Sequence, residues 1–364
     1  MLTSLRARLA ASVVVSAGFV LLGHVFAGRA TAELGYDSTF YVAMVSGRDA
    51  AVPGPFKFRV LVPFLASLLP TSPRSALLLI SYLSLFGVYL FVIRACRTLG
   101  LGIADAAFGV LAIWGSTWHL YHYYNPYMTD AFALLALSVM VAALLTETFW
   151  PFVIAGVIGV LGRETTAFLA PAWFATRQVG RTVVLIAMAS VLVWLPRYWL
   201  GDGDLTIASA FTSSGTSFMP AVFIRQLAAF WGFVWFLALA GAWYLPRQYV
   251  GRLAAAFCAL LLSAIAASTI ATDAGRMFAF LAPVLAIGAA QFYAVVRRRS
   301  STLAWVLVGL IALQGFFNTP EAMFDSQAWI VGWPRRAFLV AELSLGILIV
   351  AKLRAGGAVD SSTS

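Results

Sequence analysis

Charged side chains are scarce in this chain. They make up 10% of its 364 residues, against 62% hydrophobic residues and a mean hydropathy of +0.91. In soluble globular domains about a quarter of the residues carry charge. The shortage excludes a soluble domain and predicts an all-α polytopic integral membrane protein, because a helix satisfies its own backbone hydrogen bonds in lipid.

Cysteines are few, and nucleotide-binding motifs are missing. Cys96 lies at an arginine-flanked helix end and Cys258 inside an apolar run, so neither a disulfide framework nor a zinc site is expected. No GxGxxG or P-loop pattern occurs, which argues against a nucleotide ligand. The 24 basic residues outnumber the 14 acidic ones, but many flank apolar runs and they form no nucleic-acid-binding patch.

Long apolar segments are what the chain does have. A full span needs about 20 apolar residues, and the pattern predicts about 11–12 transmembrane or partly spanning helices. These segments predict one transmembrane domain over residues 1–355, followed by a disordered cytoplasmic tail over residues 356–364. The first segment resembles a secretory signal, but we expect it to be retained as a helix. The segments begin near Leu9, Arg74, Ile103, Asp130, Phe149, Thr165, Thr182, Ala221, Leu253, Arg276, Thr302 and Arg336.

Basic residues mark one side of the predicted bundle. If the segments alternate in direction, the basic clusters share a side, which the positive-inside rule makes cytoplasmic. This predicts a multi-pass protein of the plasma (inner) membrane with both termini in the cytoplasm. The clusters are Arg6/Arg8, Arg94/Arg97, Arg177/Arg181, Arg247/Arg252, Arg297 to Arg299 and Lys352/Arg354.

The alternation requires that the segment from Pro55 to Pro70 does not cross the membrane. Its prolines, charges and short apolar run indicate an amphipathic interfacial helix. It lies in a first extracytoplasmic loop over residues 28–73. Most acidic residues then fall on the outer side, where we expect any chemistry to occur.

Two stretches have nearly the same sequence: GRETTAFLAP, from Gly162, and GRMFAFLAP, from Gly275. The first closes a short helical hairpin over residues 149–176. Its leading helix, about 21 Å long at 1.5 Å per residue, is too short to cross the bilayer. Arg163 and Arg276 each precede a helix that runs inward. A guanidinium beside a helix N-terminus favours a phosphate or carboxylate ligand.

A structural role for the two arginines remains open. In that alternative Arg163 forms a salt bridge with Glu164 or Asp130, and Arg276 forms one with Asp273. Each arginine alone is compatible with either reading.

The first outer loop carries further polar groups, in the stretch ELGYDSTFYVAMVSGRD and beyond. Asp37 follows the first span, Tyr41 comes four residues later, and Lys57 and Arg59 lie further along. A carboxylate in a partly desolvated cavity acts as a general base on a hydroxyl or positions a metal ion.

The arrangement of YDSTFY, FRVLVPFLASLLP and the GRETTAF hairpin among many spans resembles the GT-C superfamily of membrane glycosyltransferases. The similarity is to its polyprenyl-phosphate-sugar-dependent members. The resemblance implies that Asp37 is the catalytic base, with Glu33 and Asp49 as alternative acidic positions, and it leaves the use of a divalent metal ion open. It also implies transfer of a sugar, with inversion, from a polyprenyl-phosphate donor to a glycan, lipid or protein acceptor.

The remaining site expectations concern substrate contacts. The residues expected to bind the phosphate of the donor are Arg276, Arg163, Arg59 and Lys57. The predicted substrate-binding residues are Tyr41, Glu164, Asp130, Asn125, Tyr124 and Asp273. The rival readings are a transporter or flippase of a lipid-linked or anionic solute and a non-enzymatic assembly factor for envelope polymers.

Overall fold

Apolar runs fold into helices throughout the described part of the chain. The computed structural model describes residues 2–27, 36–48, 52–53, 56–116, 122–123, 125–200, 231–268, 278–317 and 340–352. The predicted tail over residues 356–364 lies outside them, as do parts of the first outer loop. The α-helices are α1 (Leu2–Ala27), α2 (Tyr36–Val45), α3 (Leu61–Ser67), α4 (Pro73–Thr98), α5 (Ile103–Trp114), α6 (Asp130–Thr146), α7 (Phe149–Gly162), α8 (Val179–Leu200), α9 (Val234–Ala242), α10 (Arg247–Ser268), α11 (Ala282–Arg299), α12 (Ser301–Phe317) and α13 (340–352).

Among the described residues, 5 helices are long and apolar enough to cross a membrane. They are Arg6–Phe26, Pro73–Thr98, Val179–Trp199, Arg247–Ala266 and Ala279–Arg299. Shorter apolar helices surround them, and the described residues form no strand. The predicted fold class is confirmed at this level: the chain is helical and has the apolar helices of a membrane protein.

The interior is built around α11, because its small residues admit other helices at backbone contact. A Cβ atom on Gly288 would lie 2.6 Å from the Ala238 carbonyl oxygen of α9. A Cβ atom on Gly109 of α5 would lie 2.6 Å from the Ala286 carbonyl oxygen of α11. Small residues of this kind drive helix association in lipid, where burial of apolar surface gives little gain.

The hairpin over residues 149–176 has an α-helical arm and a 3₁₀-helical arm. α7 ends at Gly162, and a 3₁₀ helix runs from Glu164 to Thr176 with Pro171 inside it. Gly159 makes the fold of the hairpin possible, because a Cβ atom there would overlap Ala136 and Thr166. The tip at Arg163 is thereby held against α6.

The segment between α1 and α4, predicted as the first outer loop, supplies two short helices next to this tip. α3 has seven residues, so it is about 10 Å long and does not span a bilayer. Its inner face buries Val62, Pro63 and Ala66, whereas Phe64 and Leu68 are exposed. An exposed apolar face on a short helix suits a position at a membrane surface.

Ion pairs define two opposite ends of the bundle. At the Arg297 end, Arg297 of α11 pairs with Asp105 of α5, and Arg252 of α10 pairs with Glu147 beyond α6. α6 begins at Asp130 and runs toward Glu147, so Asp130 marks the other end, which we call the Arg163 end.

Candidate functional site

A buried arginine occupies the tip of the hairpin. Arg163 has extended backbone angles between α7 and the 3₁₀ helix. Its guanidinium pairs with the Asp130 carboxylate at the start of α6, and both side chains are 0% exposed. The Phe280 ring covers the guanidinium, with 5.1 Å between Cζ and the ring centroid. Phe280 belongs to GRMFAFLAP, so the two similar sequence phrases meet at this point.

A second ion pair joins the hairpin to the first outer loop. The Arg59 guanidinium donates from Nε to Glu164 Oε2 at 3.0 Å and from Nη2 to Oε1 at 2.9 Å. Its third contact is from Nη1 to the Tyr41 hydroxyl oxygen at 2.8 Å. Burial alone lowers the pKa of Arg59, but the Glu164 carboxylate and the Tyr41 hydroxyl outweigh burial and raise it above its ordinary value. Arg59 is therefore a permanent cation in this setting.

The two pairs come together through neighbouring residues. Arg163 and Glu164 are adjacent in sequence, and Thr129 precedes Asp130 and lies 3.5 Å from the Tyr41 hydroxyl. Five predicted site residues are therefore gathered from four separate parts of the chain. They are Tyr41, Arg59, Asp130, Arg163 and Glu164.

Asp37 lies on the helix that contributes Tyr41. It is in the first turn of α2 and half-buried, one helical turn before Tyr41. Side chains four residues apart share a helix face, so Asp37 and Tyr41 are neighbours on α2. The next residue, Ser38, donates a hydrogen bond to the Asn125 side-chain oxygen. This contact fixes the start of α2 against the segment before α6.

Lys57 lies beside the same cluster but makes a different contact. Its Nζ is 5.6 Å from the centroid of the Phe58 ring. Arg197 of α8 packs on the same Phe58 ring, with its Cζ 4.9 Å from the ring centroid. Two cations therefore flank Phe58, which is itself buried.

Three predicted site residues lie outside the described residues: Arg276, Asp273 and Tyr124. The alternative acidic positions Glu33 and Asp49 also lie outside them. Within the described ranges, no group of three or more His, Cys, Asp and Glu side chains is placed to hold a metal ion.

The arrangement forms a polar wall at one end of an apolar bundle. Two arginines and two carboxylates balance in charge, so the wall orients hydrogen-bonding groups without adding net charge. Ionised groups buried within an apolar helical bundle are costly, and in membrane proteins they usually mark a substrate site or a wet cavity.

Sequence reasoning missed several members of the site. Thr129 and Phe280 carry no signal of their own, because a lone threonine or phenylalanine in an apolar chain is unremarkable. Arg197 was visible as a basic residue near the end of an apolar segment, followed by the aromatic pair Tyr198 and Trp199.

No family model, curated protein or solved structure matches the chain.

Proposed function

We propose that this protein is a membrane glycosyltransferase of the GT-C type. It moves a sugar from a polyprenyl-phosphate donor to a glycan, lipid or protein acceptor. The observation that carries the proposal is the meeting of Tyr41, Arg59, Asp130, Arg163 and Glu164 at one end of the bundle. Asp37 stands one turn from Tyr41 on the same helix.

The orientation follows from the charges at the other end. Arg181, Arg252 and Arg297 lie at the Arg297 end, where they contact residues that begin or end helices. By the positive-inside rule that end is cytoplasmic. In this proposal both termini are cytoplasmic, the membrane is the plasma (inner) membrane, and the site faces the extracytoplasmic side. A lipid-linked donor reaches such a site through the bilayer.

The reaction is a single displacement. The Asp37 carboxylate takes the proton from the acceptor hydroxyl while the hydroxyl oxygen attacks the anomeric carbon. The new glycosidic C–O bond forms as the bond from the anomeric carbon to the phosphate oxygen breaks, so the configuration inverts. The polyprenyl phosphate leaves as an anion.

Cations stabilise the charge that develops on the leaving phosphate. The proposal assigns this role to Arg276 and Lys57, together with Arg59 and Arg163 of the polar wall. Glu164 and Asp130 hold those two guanidinium groups in place, and both arginines stay charged. Tyr41, Asn125, Tyr124 and Asp273 contact the substrates.

One observation favours the rival function, a transporter or flippase of a lipid-linked or anionic solute. Glu342 lies in α13 and is 1% exposed. A buried carboxylate within an apolar helix is typical of transport pathways. Transport also needs access from both sides of the membrane.

The decisive experiment compares Asp37→Asn with Asp105→Asn in protein reconstituted with polyprenyl-phosphate sugars. Both variants exchange a carboxylate for an amide, at opposite ends of the bundle. We expect Asp37→Asn to reduce transfer by at least about 100-fold, the range for loss of a general base, and Asp105→Asn to leave it unchanged. Full transfer by Asp37→Asn would rule out the assigned base. Lipid translocation without transfer by the unmodified protein would establish the rival function instead.

A further inference from the structure

Arg197 lies at the Arg163 end and forms no ion pair with a carboxylate among the described residues. Arg197 lies in the last turn of α8, where its guanidinium rests on Phe58. We infer that Arg197 and Phe58 form a binding site for the phosphate group of a membrane lipid, at the rim of the polar wall. The inference rests on the proposed function only in naming the donor as one source of that phosphate.

The Arg197 guanidinium is held in position, and no carboxylate of the described residues neutralises it. Its Nη1 donates to the Val193 carbonyl oxygen at 2.7 Å, and its Cζ is 4.9 Å from the Phe58 ring centroid. A guanidinium has five N–H donors, so most remain for a ligand. Arg197 forms no ion pair with any residue in the described ranges. Phe58 is 7% exposed, so the surface beneath the guanidinium is fixed by packing.

Arg197 differs from the neighbouring arginines in its partners, and the difference indicates that its ligand is an anion. Arg59 and Arg163 each face a carboxylate at the same end of the bundle. Lys57 Nζ also lies 5.6 Å from the Phe58 ring centroid, so two cationic side chains contact this ring. Phosphate is the common anion at the bilayer surface, and arginine binds it through two parallel N–H donors.

The surroundings indicate that this phosphate is carried by a lipid. Arg197 is about 24 Å along α8 from Arg181, which places it near one boundary of a hydrocarbon core about 30 Å thick. Trp194, Tyr198 and Trp199 are exposed around it. Aromatic residues exposed at such a boundary lie at the level of lipid headgroups. Phe64 of α3 offers a nearby exposed apolar surface for a chain.

The test measures binding of two lipid probes to the full chain in phosphatidylcholine nanodiscs. One probe is a fluorescent polyprenyl phosphate without sugar, and the other is fluorescent phosphatidylglycerol. The variants are Arg197→Ala and Arg197→Lys. Arg181→Ala is the matched control, because Arg181 is on the same helix with Cζ 4.8 Å from the Phe149 ring centroid, at the opposite end.

We expect Arg197→Ala to weaken polyprenyl phosphate binding about tenfold or more, as for loss of a charged hydrogen bond. Arg197→Lys should recover part of this affinity, and Arg181→Ala should leave it unchanged. A loss restricted to polyprenyl phosphate assigns the site to the donor, and an equal loss for phosphatidylglycerol assigns it to anionic lipids in general. Unchanged binding by Arg197→Ala, or an equal loss by Arg181→Ala, would overturn the site.

This outcome is separate from that of the proposed function. Binding lost in Arg197→Ala, in a protein that transfers no sugar from any donor, would keep the lipid site and remove the glycosyltransferase. Transfer abolished by Asp37→Asn, together with unchanged binding by Arg197→Ala, would do the reverse.

Discussion

The two ends of the helical bundle use the same arginine–carboxylate chemistry in different surroundings. At the Arg163 end, the side chains of Arg163 and Asp130 are 0% exposed. At the Arg297 end, the Arg297 side chain is 44% exposed and its partner Asp105 2%. The second pair at that end, between Arg252 and Glu147, is also partly open, at 17% and 41%.

The difference between the two ends is one of solvent exposure, and it changes the free energy that each pair costs or contributes. A partly exposed pair contributes little to stability and costs little to keep. A fully buried pair is costly to desolvate, and apolar residues of the same volume often stabilise a protein equally well. In the proposed function, the two pairs of low exposure beside Tyr41 have a use in binding or catalysis that offsets this cost.

The largest expected change in stability comes from removing only the arginine of the buried pair between Arg163 and Asp130. Arg163→Met leaves the Asp130 carboxylate buried and without its cation, which should lower the free energy of unfolding by about 3–5 kcal/mol. Thermal unfolding of the protein in detergent measures the loss.

A double variant separates charge from function at that position. Arg163→Met combined with Asp130→Leu removes both charges, so most of the stability should return while sugar transfer stays low. Transfer at the unmodified rate in the double variant would reduce this pair to a structural role.

A smaller effect is expected from changing the geometry of the second pair while keeping its charge. Arg59→Lys loses the planar fork that contacts Glu164 at two points and Tyr41 at a third. Stability should fall by about 1–3 kcal/mol, with a parallel loss of transfer.

Tyr41→Phe is the milder companion variant, because it removes only the hydroxyl, with its contacts to Arg59 and Thr129, and should cost about 0.5–1.5 kcal/mol. If Arg59→Lys unfolds and transfers sugar like the unmodified protein, a point charge is sufficient and the fork geometry has no role.

The smallest effect is expected at the Arg297 end. Arg252→Gln breaks a pair whose carboxylate, on Glu147, is 41% exposed and stays in contact with solvent, so the change in stability should be about 0–1 kcal/mol. Sugar transfer should be unaffected in the same reconstituted assay. A loss as large as that of Arg163→Met would remove the distinction between the two ends.

Hydropathy predicted where several of the apolar helices begin but not the partners of the charged residues. α5, α6 and α7 begin at Ile103, Asp130 and Phe149, where the apolar segments were expected to begin. This works because backbone hydrogen bonding in lipid leaves helices as the main solution for an apolar run. The short length of the segment from Phe149 to Gly162 also placed Arg163 and Glu164 together at a hairpin tip.

The choice of partners depends on backbone angles that composition does not specify. Arg163 was expected to pair with Glu164 or with Asp130, or to bind an anion. Its extended backbone points the two adjacent side chains in different directions. Arg163 therefore meets Asp130, while Glu164 meets Arg59. The 3₁₀ form of the second hairpin arm and the contact with Phe280 likewise depend on tertiary packing.

The close crossing of α9 and α11 bears on how far this protein is able to move. At Gly288 and Ala238 the two helices meet main chain to main chain, with no layer of flexible side chains that could slide. Backbone contact of this kind resists sliding, so we expect α9 and α11 to move together in any conformational change. A rigid contact between α9 and α11 suits the proposed chemistry at a fixed site better than transport, which requires the protein to open on alternate sides of the membrane.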